Sequence, residues 1–409
     1  MSAPASAVPA AVVPAHVPPD RVVHFDFRRG PDFLADPWGV LAAMTAKPDI
    51  VFSPELGGYW VPTKAEIIDE VFRRHDLFSS RQISIPRVER RAKSIPAGLD
   101  PPEHGKYRKT VTQMFGGKTV MGLEADMRET ARRLADAFVK NGECEFVAEF
   151  ARRMPVDVFL KLYGLPESLR EEFVSWVVGF FQGANAEEMM AAHNKTVAYM
   201  SQWLDEKMKN RAGLEGHVLP ALAAAEVDGR PLDKEEMLSM AVTLVNAGLD
   251  TVTSGMTHMM HFLATSPAHR QQLLDDPALI PNAIEEMLRR FGVASLARVV
   301  DHDVEFHGVQ MKTGDMILAS TPLAGLDPAL FDNPLKVDFA RENKRRHTAF
   351  GAGPHVCPGA MLSRVEFRIM LEELLPRLRN LGLAPGAPLD YTSGITLALK
   401  KLHLKWDVA

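Results

Sequence analysis

From Phe350 to Gly359 the chain reads FGAGPHVCPG, and no other stretch restricts its fold as sharply. Three glycines and two prolines around one cysteine define a tight loop, dense in main chain, that neither a regular helix nor a strand accommodates. Gly359 then opens a helical pattern that runs to Leu378. A thiolate placed there gains from backbone N–H groups and from the start of a helix. Glycines also let a flat, bulky ligand approach the main chain closely. An isolated cysteine would read as a small packed residue in a glycine turn. The punctuation on both sides of Cys357 favours a built ligand site instead.

The rest of the chain must form the scaffold for that loop. Its 409 residues, 46% apolar and 24% charged, have the balance of a globular protein with an ample core. The net charge of −5 argues against a nucleic-acid binder. Cys144 and Cys357 are the two cysteines, too few for a disulfide framework, and they fit a reducing compartment. Met237–Leu249 is uncharged over thirteen residues before Asp250, whereas a membrane helix needs about 20. Residues 1–20 read as a disordered Pro/Ala-rich tail, with five prolines and no charge in the first nineteen. Residues 21–409 read as one domain.

Helical spacing is expected over Pro37–Lys47, capped by Asp36, and over Lys64–Arg74. Strand-like pieces lie at Ile50–Ser53 and Gly58–Val61. Ser79–Asp100 reads as a long loop, and helical patterns dominate from Glu103 to Phe291. From Val299 the pattern turns β-like, with strands at Val304–His307 and Met316–Ala319 and a last β region over Ile395–Trp406. No βαβ alternation, phosphate-binding loop, zinc spacing or nucleophile elbow is present.

Three further constellations carry chemistry. In Ala247-Gly248-Leu249-Asp250-Thr251 a charge and a hydroxyl interrupt an apolar helical run. Either Gly248 ends one helix and Asp250 caps the next, or the acid is buried for a task. Glu286 and Arg289 form an i,i+3 pair, by itself a weak surface ion pair. His104 and Arg108, four apart at a helix start, share one face, which alone would read as solvated.

With the cysteine loop, these pieces resemble the cytochrome P450 family from about Asp100 to Trp406. FGAGPHVCPG matches its haem-binding signature, AGLDT its acid–alcohol pair, Glu286-Met287-Leu288-Arg289 its ExxR motif, and DPPEHGKYR a motif at the haem edge. The resemblance implies a mainly α fold, a triangular helical prism with small β-sheets, that buries haem b (iron protoporphyrin IX) between two helices. It makes Cys357 the axial iron ligand. His104 and Arg108 are set against one haem propionate, Arg298 and His355 against the other, and Phe350 and Gly359 frame the ligand loop. Asp250 and Thr251 become the proton-handling pair, while Glu286, Arg289 and Arg341 brace the loop without a catalytic role.

The implied activity is haem-thiolate monooxygenation with O2, on a small and mostly apolar substrate of terpenoid or norisoprenoid type. Thr243, Asn246, Ala247, Ala294, Ser295, Ile395 and Thr396 are expected to line the substrate pocket. The camphor-hydroxylating subgroup, which the chain resembles most, anchors its ketone with a tyrosine before the Asp-Pro-Pro motif. Here no aromatic residue lies between Phe78 and Tyr107, and the corresponding position falls near Ala92. That subgroup draws electrons from a [2Fe-2S] ferredoxin and a flavin-dependent ferredoxin reductase. Arg108, Lys344, Arg345, Arg346 and Arg364 are expected to form a basic docking face for the carrier. A cytoplasmic monomer, without membrane or nucleic-acid partner, is expected. Three rivals stay open: a peroxide-driven or isomerising haem-thiolate enzyme, a non-catalytic haem-binding sensor, and, more weakly, a cysteine-dependent hydrolase.

Overall fold

A single helix of 32 residues, Lys234–Thr265, organises the molecule. The computed structural model describes residues 12–87, 94–182, 186–209 and 214–408. The helix begins with a reciprocal capping box. Glu236 N–H donates to Asp233 Oδ1 at 2.8 Å, and the Glu236 carboxylate accepts from Asp233 N–H at 2.9 Å. Arg230 grips the same carboxylate with two 2.8 Å bonds, and the Tyr107 hydroxyl donates to it at 2.7 Å. The helix passes through Gly248 and Asp250 without a break, so Asp250 caps nothing. At about 1.5 Å per residue it spans about 48 Å.

Other helices pack around it. Tyr163, on helix Arg153–Tyr163, donates to the carbonyl of Ala241 at 2.8 Å. Helix Ala360–Leu374 crosses at Gly255, where a Cβ would stand 2.6 Å from the Phe367 ring. Glycine is therefore required at that crossing. The methionines at 256, 259 and 260 are buried core residues.

A five-stranded sheet lies at the other side, in the order Ile50–Ser53, Tyr59–Pro62, Met316–Ser320, Ser295–Val300, Phe78–Ser79. Its register sets Ile317 beside Trp60 on one side and opposite Arg298 on the other. A second apolar core surrounds this sheet. The strand carrying Arg298 starts at Ser295, earlier than the β pattern expected from Val299, because it pairs with Met316–Ser320 as far back as Ser295 opposite Ser320. The last long helix stops at Leu374, and Leu375–Arg377 form a tight turn around Pro376.

The expected tail divides in two. Residues 1–11 lie outside the described residues. His16 bonds Asp315 at 2.9 Å and Val17 is buried in the sheet-side core, so the packed chain begins before Asp20. Cys144 is buried in strand Glu143–Glu145 and its thiol is pushed up by burial, as befits a packing residue. Among the described residues no helix is long and apolar enough to cross a membrane. The architecture is mainly α with small sheets.

Candidate active site

The cysteine loop is held by its own main chain. Cys357 N–H donates to Phe350 O at 2.9 Å, and Gly351 N–H to Thr348 O at 2.7 Å. Gly351 and Gly353 have φ of +70° and +65°. A Cβ on Gly353 would also stand 2.9 Å from Arg73 Cα, so the turn demands glycine there. The Cys357 thiol is pushed up by burial, against the Gly359 N–H and the charges of Arg108 and Arg364. These last three favour a sulfur that carries negative charge.

Beneath the loop the Glu286–Arg289–Arg341 cluster is complete. Arg289 donates to both oxygens of Glu286 at 2.8 Å, and Arg341 reaches Glu286 at 3.1 Å. Arg289 also holds the carbonyls of Gly325 and Pro334, at 2.7 and 2.8 Å. Both Glu286 and Arg289 are fully buried and every strong donor is used, so the cluster braces the segment leading into the loop. Next to it Arg364 forks onto Glu285 and stands over the Phe350 ring, 4.5 Å from its centroid. His347 bonds Glu285 at 3.2 Å.

At one edge four donors converge. The His104 and His355 rings are 4.1 Å apart, and Arg108 donates to Val356 O in the cysteine loop. Arg298 is 2% exposed, yet among the described residues its guanidinium bonds only the carbonyl of Ala297, at 2.8 Å. His104 Nε2 is buried with no hydrogen-bond partner. Burial lowers Arg298 to about 10, His104 to about 4 and His355 to about 3, the neighbouring cations adding to the effect on the two imidazoles. Both rings are therefore neutral at pH 7 and donate one N–H each. Ser80 and Asp100, which sequence reasoning missed, support this edge. Ser80 Oγ lies 3.1 Å from His355 Nε2, and Asp100 accepts from Ser80 N–H at 2.7 Å.

On the other side, the central helix opens a face in the middle of its buried length. Ala247 and Gly248 are exposed and Thr243, Asn246 and Thr251 half-buried, while Leu249 and Asp250 are buried. Thr251 Oγ1 donates to Ala247 O at 3.0 Å. Burial raises Asp250 to about 6, with the Thr396 hydroxyl and the charge of Arg152 drawing it down. Arg152, another residue missed from sequence, lines a crevice with Asp250 on the side of Val174, Val177 and Val178. Across the cleft, Ser295 N–H donates to Ile395 O and Leu397 N–H to Val293 O, both at 2.8 Å, and Ala294 bridges Thr396. Ala294, Ser295, Ile395 and Thr396 thus form one wall.

One expectation changes. Lys344 is 9% exposed with Nζ 2.7 Å from Arg341 O, so it belongs to the interior and leaves the basic face to Arg345, Arg346, Arg108 and Arg364. Ala92 lies outside the described residues. Glu366 is an unforeseen feature: 1% exposed, with one carboxylate oxygen unpartnered, and raised by burial to about 8.

These residues fit haem. Arg298, His355 and the unpartnered His104 Nε2 form a donor set without a carboxylate bonded to it among the described residues, suited to two propionates. Cys357 would offer a soft sulfur ligand from a loop already shaped by glycine. The comparisons agree. The family model described as cytochrome P450 matches residues 173–406. A "Probable cytochrome P450 127A1" from Sinorhizobium fredii is 33% identical over 95% of both chains. "Mycinamicin IV hydroxylase/epoxidase" from Micromonospora griseorubida is 33% identical, covering 83% of this chain and 87% of that one. The crystal structure of CYP101C1 superposes with a TM-score of 0.89 at 30% identity, covering 97% of this chain and all of that one. CYP101J2 gives 0.87 with the same identity and coverage.

Proposed function

The chain belongs to the cytochrome P450 family, is a monooxygenase that binds haem b, and from that premise we propose that it hydroxylates a small, mostly apolar substrate with electrons from a [2Fe-2S] ferredoxin. Haem, when bound, supplies the oxygen activation and the oxidation of the substrate C–H bond. The protein's part is to bind, orient and deliver protons.

In this reading the Cys357 sulfur would hold the haem iron. The loop N–H groups and the cations Arg108 and Arg364 hold negative charge on it. Arg298 and His355 take one propionate, His104 and Arg108 the other. Thr251 presents its hydroxyl to the cleft while keeping Oγ1 on Ala247 O. That bond lets the hydroxyl accept a hydrogen bond from water and hold it at the reacting face. Asp250, near its own midpoint close to pH 6, can take a proton from the Arg152 side and release it toward Thr251. Thr396, on the wall of the cleft, also lies beside Asp250.

The observation that carries the substrate class is the composition of the cleft. Ala247, Ala294 and Ile395 are apolar, and Thr243, Asn246 and Ser295 supply the few polar groups. Such a wall suits a hydrophobic molecule with a sparse polar function. A spectral screen of the haem-loaded protein tests the reading. Terpenoid and norisoprenoid ketones and alcohols are expected to give the low- to high-spin Soret shift. No shift with any of them would refute it, and a full shift with camphor at low concentration but none with larger enones would overturn only the expectation that the substrate is held otherwise than camphor is. The carrier is tested by turnover with a [2Fe-2S] ferredoxin and its reductase, against peroxide alone.

A further inference from the structure

Among the described residues Arg28 is a cation that no carboxylate pairs with. It follows the anchor Phe25–Phe27, whose two phenylalanines are buried, and its backbone direction is fixed by Asp26, whose Oδ1 accepts from Arg28 N–H and Arg29 N–H at 2.9 Å each. The Arg28 side chain then reaches two segments far away in sequence. Nη1 donates to Ile85 O at 3.3 Å, a long bond. The guanidinium lies along Gly394, where a Cβ would stand 3.6 Å from Nη2, 3.7 Å from Nε and 3.9 Å from Cζ. No carboxylate pairs with it among the described residues. Nearby surface arginines behave differently: Arg73 pairs with Asp69, and Arg74 with Asp76. Burial disfavours the Arg28 charge, and Arg29 adds to that, while Asp26 offsets only part of it. Desolvating a guanidinium for one weak backbone bond is costly unless another acceptor completes the site.

The position says where that acceptor would come from. Gly394 adjoins Ile395 and Thr396, which form the pocket wall with Ala294 and Ser295. Ile85 ends a strip of loop that follows the site edge. Ser80 touches His355, and Ile83 O accepts from Ala297 N–H at 3.0 Å. Ser84 in that strip has a buried hydroxyl with no hydrogen-bond partner. A planar cation thus borders the turn that shapes the cleft, and among the described residues an unused hydroxyl sits one residue before the carbonyl that the cation bonds.

We propose that Arg28 and Ser84 form an anion subsite at the edge of the pocket, which takes the carboxylate of a substrate whose apolar body extends toward Thr251. Arg is the side chain suited to this, because its planar fork meets both carboxylate oxygens and it stays charged when partly buried. The proposal rests on the apolar-substrate reading above and narrows it to an apolar acid.

The test compares geranic acid, its methyl ester and geraniol at pH 7.5, where the acid is ionised. Binding to haem-loaded enzyme is read by calorimetry and by the Soret shift. The unaltered enzyme should bind the acid at least tenfold more tightly than the ester, with the advantage shrinking in high salt. Arg28→Gln should remove that advantage and leave the ester within twofold, while Arg28→Lys keeps part of it. Equal affinity for acid and ester in the unaltered enzyme would overturn the subsite, and needs no variant. So would a loss in Arg28→Gln shared by all three ligands, which would make Arg28 a clamp on the Ile85 loop. Binding of ester and alcohol without acid preference sinks the subsite alone. Failure of all three to bind sinks the apolar-substrate reading with it.

Discussion

Asp250 and Thr251 are adjacent in the chain but face different surroundings: Asp250 is 7% exposed beside Thr396 and Arg152, while Thr251 opens to the cleft. Neighbouring helix residues diverge by about 100°, so one step along the helix turns from an interior acid to a hydroxyl at the site. In the proposed function this divergence would let the pair carry protons from one side of the helix to the other.

Thr251→Ala should keep substrate binding and divert reducing equivalents to peroxide, measured as product formed per reductant consumed. Asp250→Asn should slow turnover on the order of 10²-fold. Because Asp250 is raised to about 6, the parent pH–rate profile should show an inflection near that value. Asp250→Asn should lack it. A coupled Thr251→Ala enzyme would contradict the assignment.

Glu286→Gln leaves the buried Arg289 charge without its carboxylate, and Arg289→Ala leaves the buried Glu286 with Arg341 as its remaining cation. The cost should be about 3–5 kcal/mol, seen as a lower melting temperature and poor haem loading. Arg341→Ala should do less, since Arg341 gives Glu286 one bond while Arg289 gives it two.

Glu366 gives a pH signature of stability. Its folded value of about 8 lies above the ordinary 4.5, so the fold favours the protonated form. Stability is fully present below pH 4.5 and falls as pH rises toward 8, by on the order of 4 kcal/mol. Glu366→Gln should flatten denaturation midpoints over that window. An unchanged slope would mean the carboxyl is solvated.

Reduction by a ferredoxin should slow steeply as salt rises, because exposed charges at a docking face are screened. Arg345→Glu should weaken the carrier's binding, and Lys344→Gln should affect stability rather than docking. Stopped-flow reduction against ionic strength separates the two.

The parts legible in the sequence are those whose chemistry is contiguous. The loop around Cys357, the Glu286–Arg289 pair and Asp250–Thr251 each carry their pattern within ten residues. The structure added what comes from distant segments. Ser80 meets His355 across 275 positions, and nothing local marks a serine for that. Glu366 sits in a helix whose period gives no sign that its carboxyl lacks a partner. Lys344 looked like surface charge among Arg345 and Arg346, yet its ammonium reaches a carbonyl inside. The continuity of helix Lys234–Thr265 was ambiguous because Gly248 and Asp250 are equally good at ending a helix. Packing on Ala241, Ala151 and Phe367 decided it.

The wall formed by Ala294–Ser295 and Ile395–Thr396 is joined through main-chain bonds, about a hundred positions apart in sequence. Its shape does not depend on which side chains it carries. Residues there can be exchanged without dismantling the scaffold, so selectivity can drift under selection while oxygen chemistry stays fixed. A chain built this way is a ready starting point for laboratory evolution, and libraries confined to those four positions and to Thr243, Asn246 and Ala247 should yield mostly folded, haem-loaded variants.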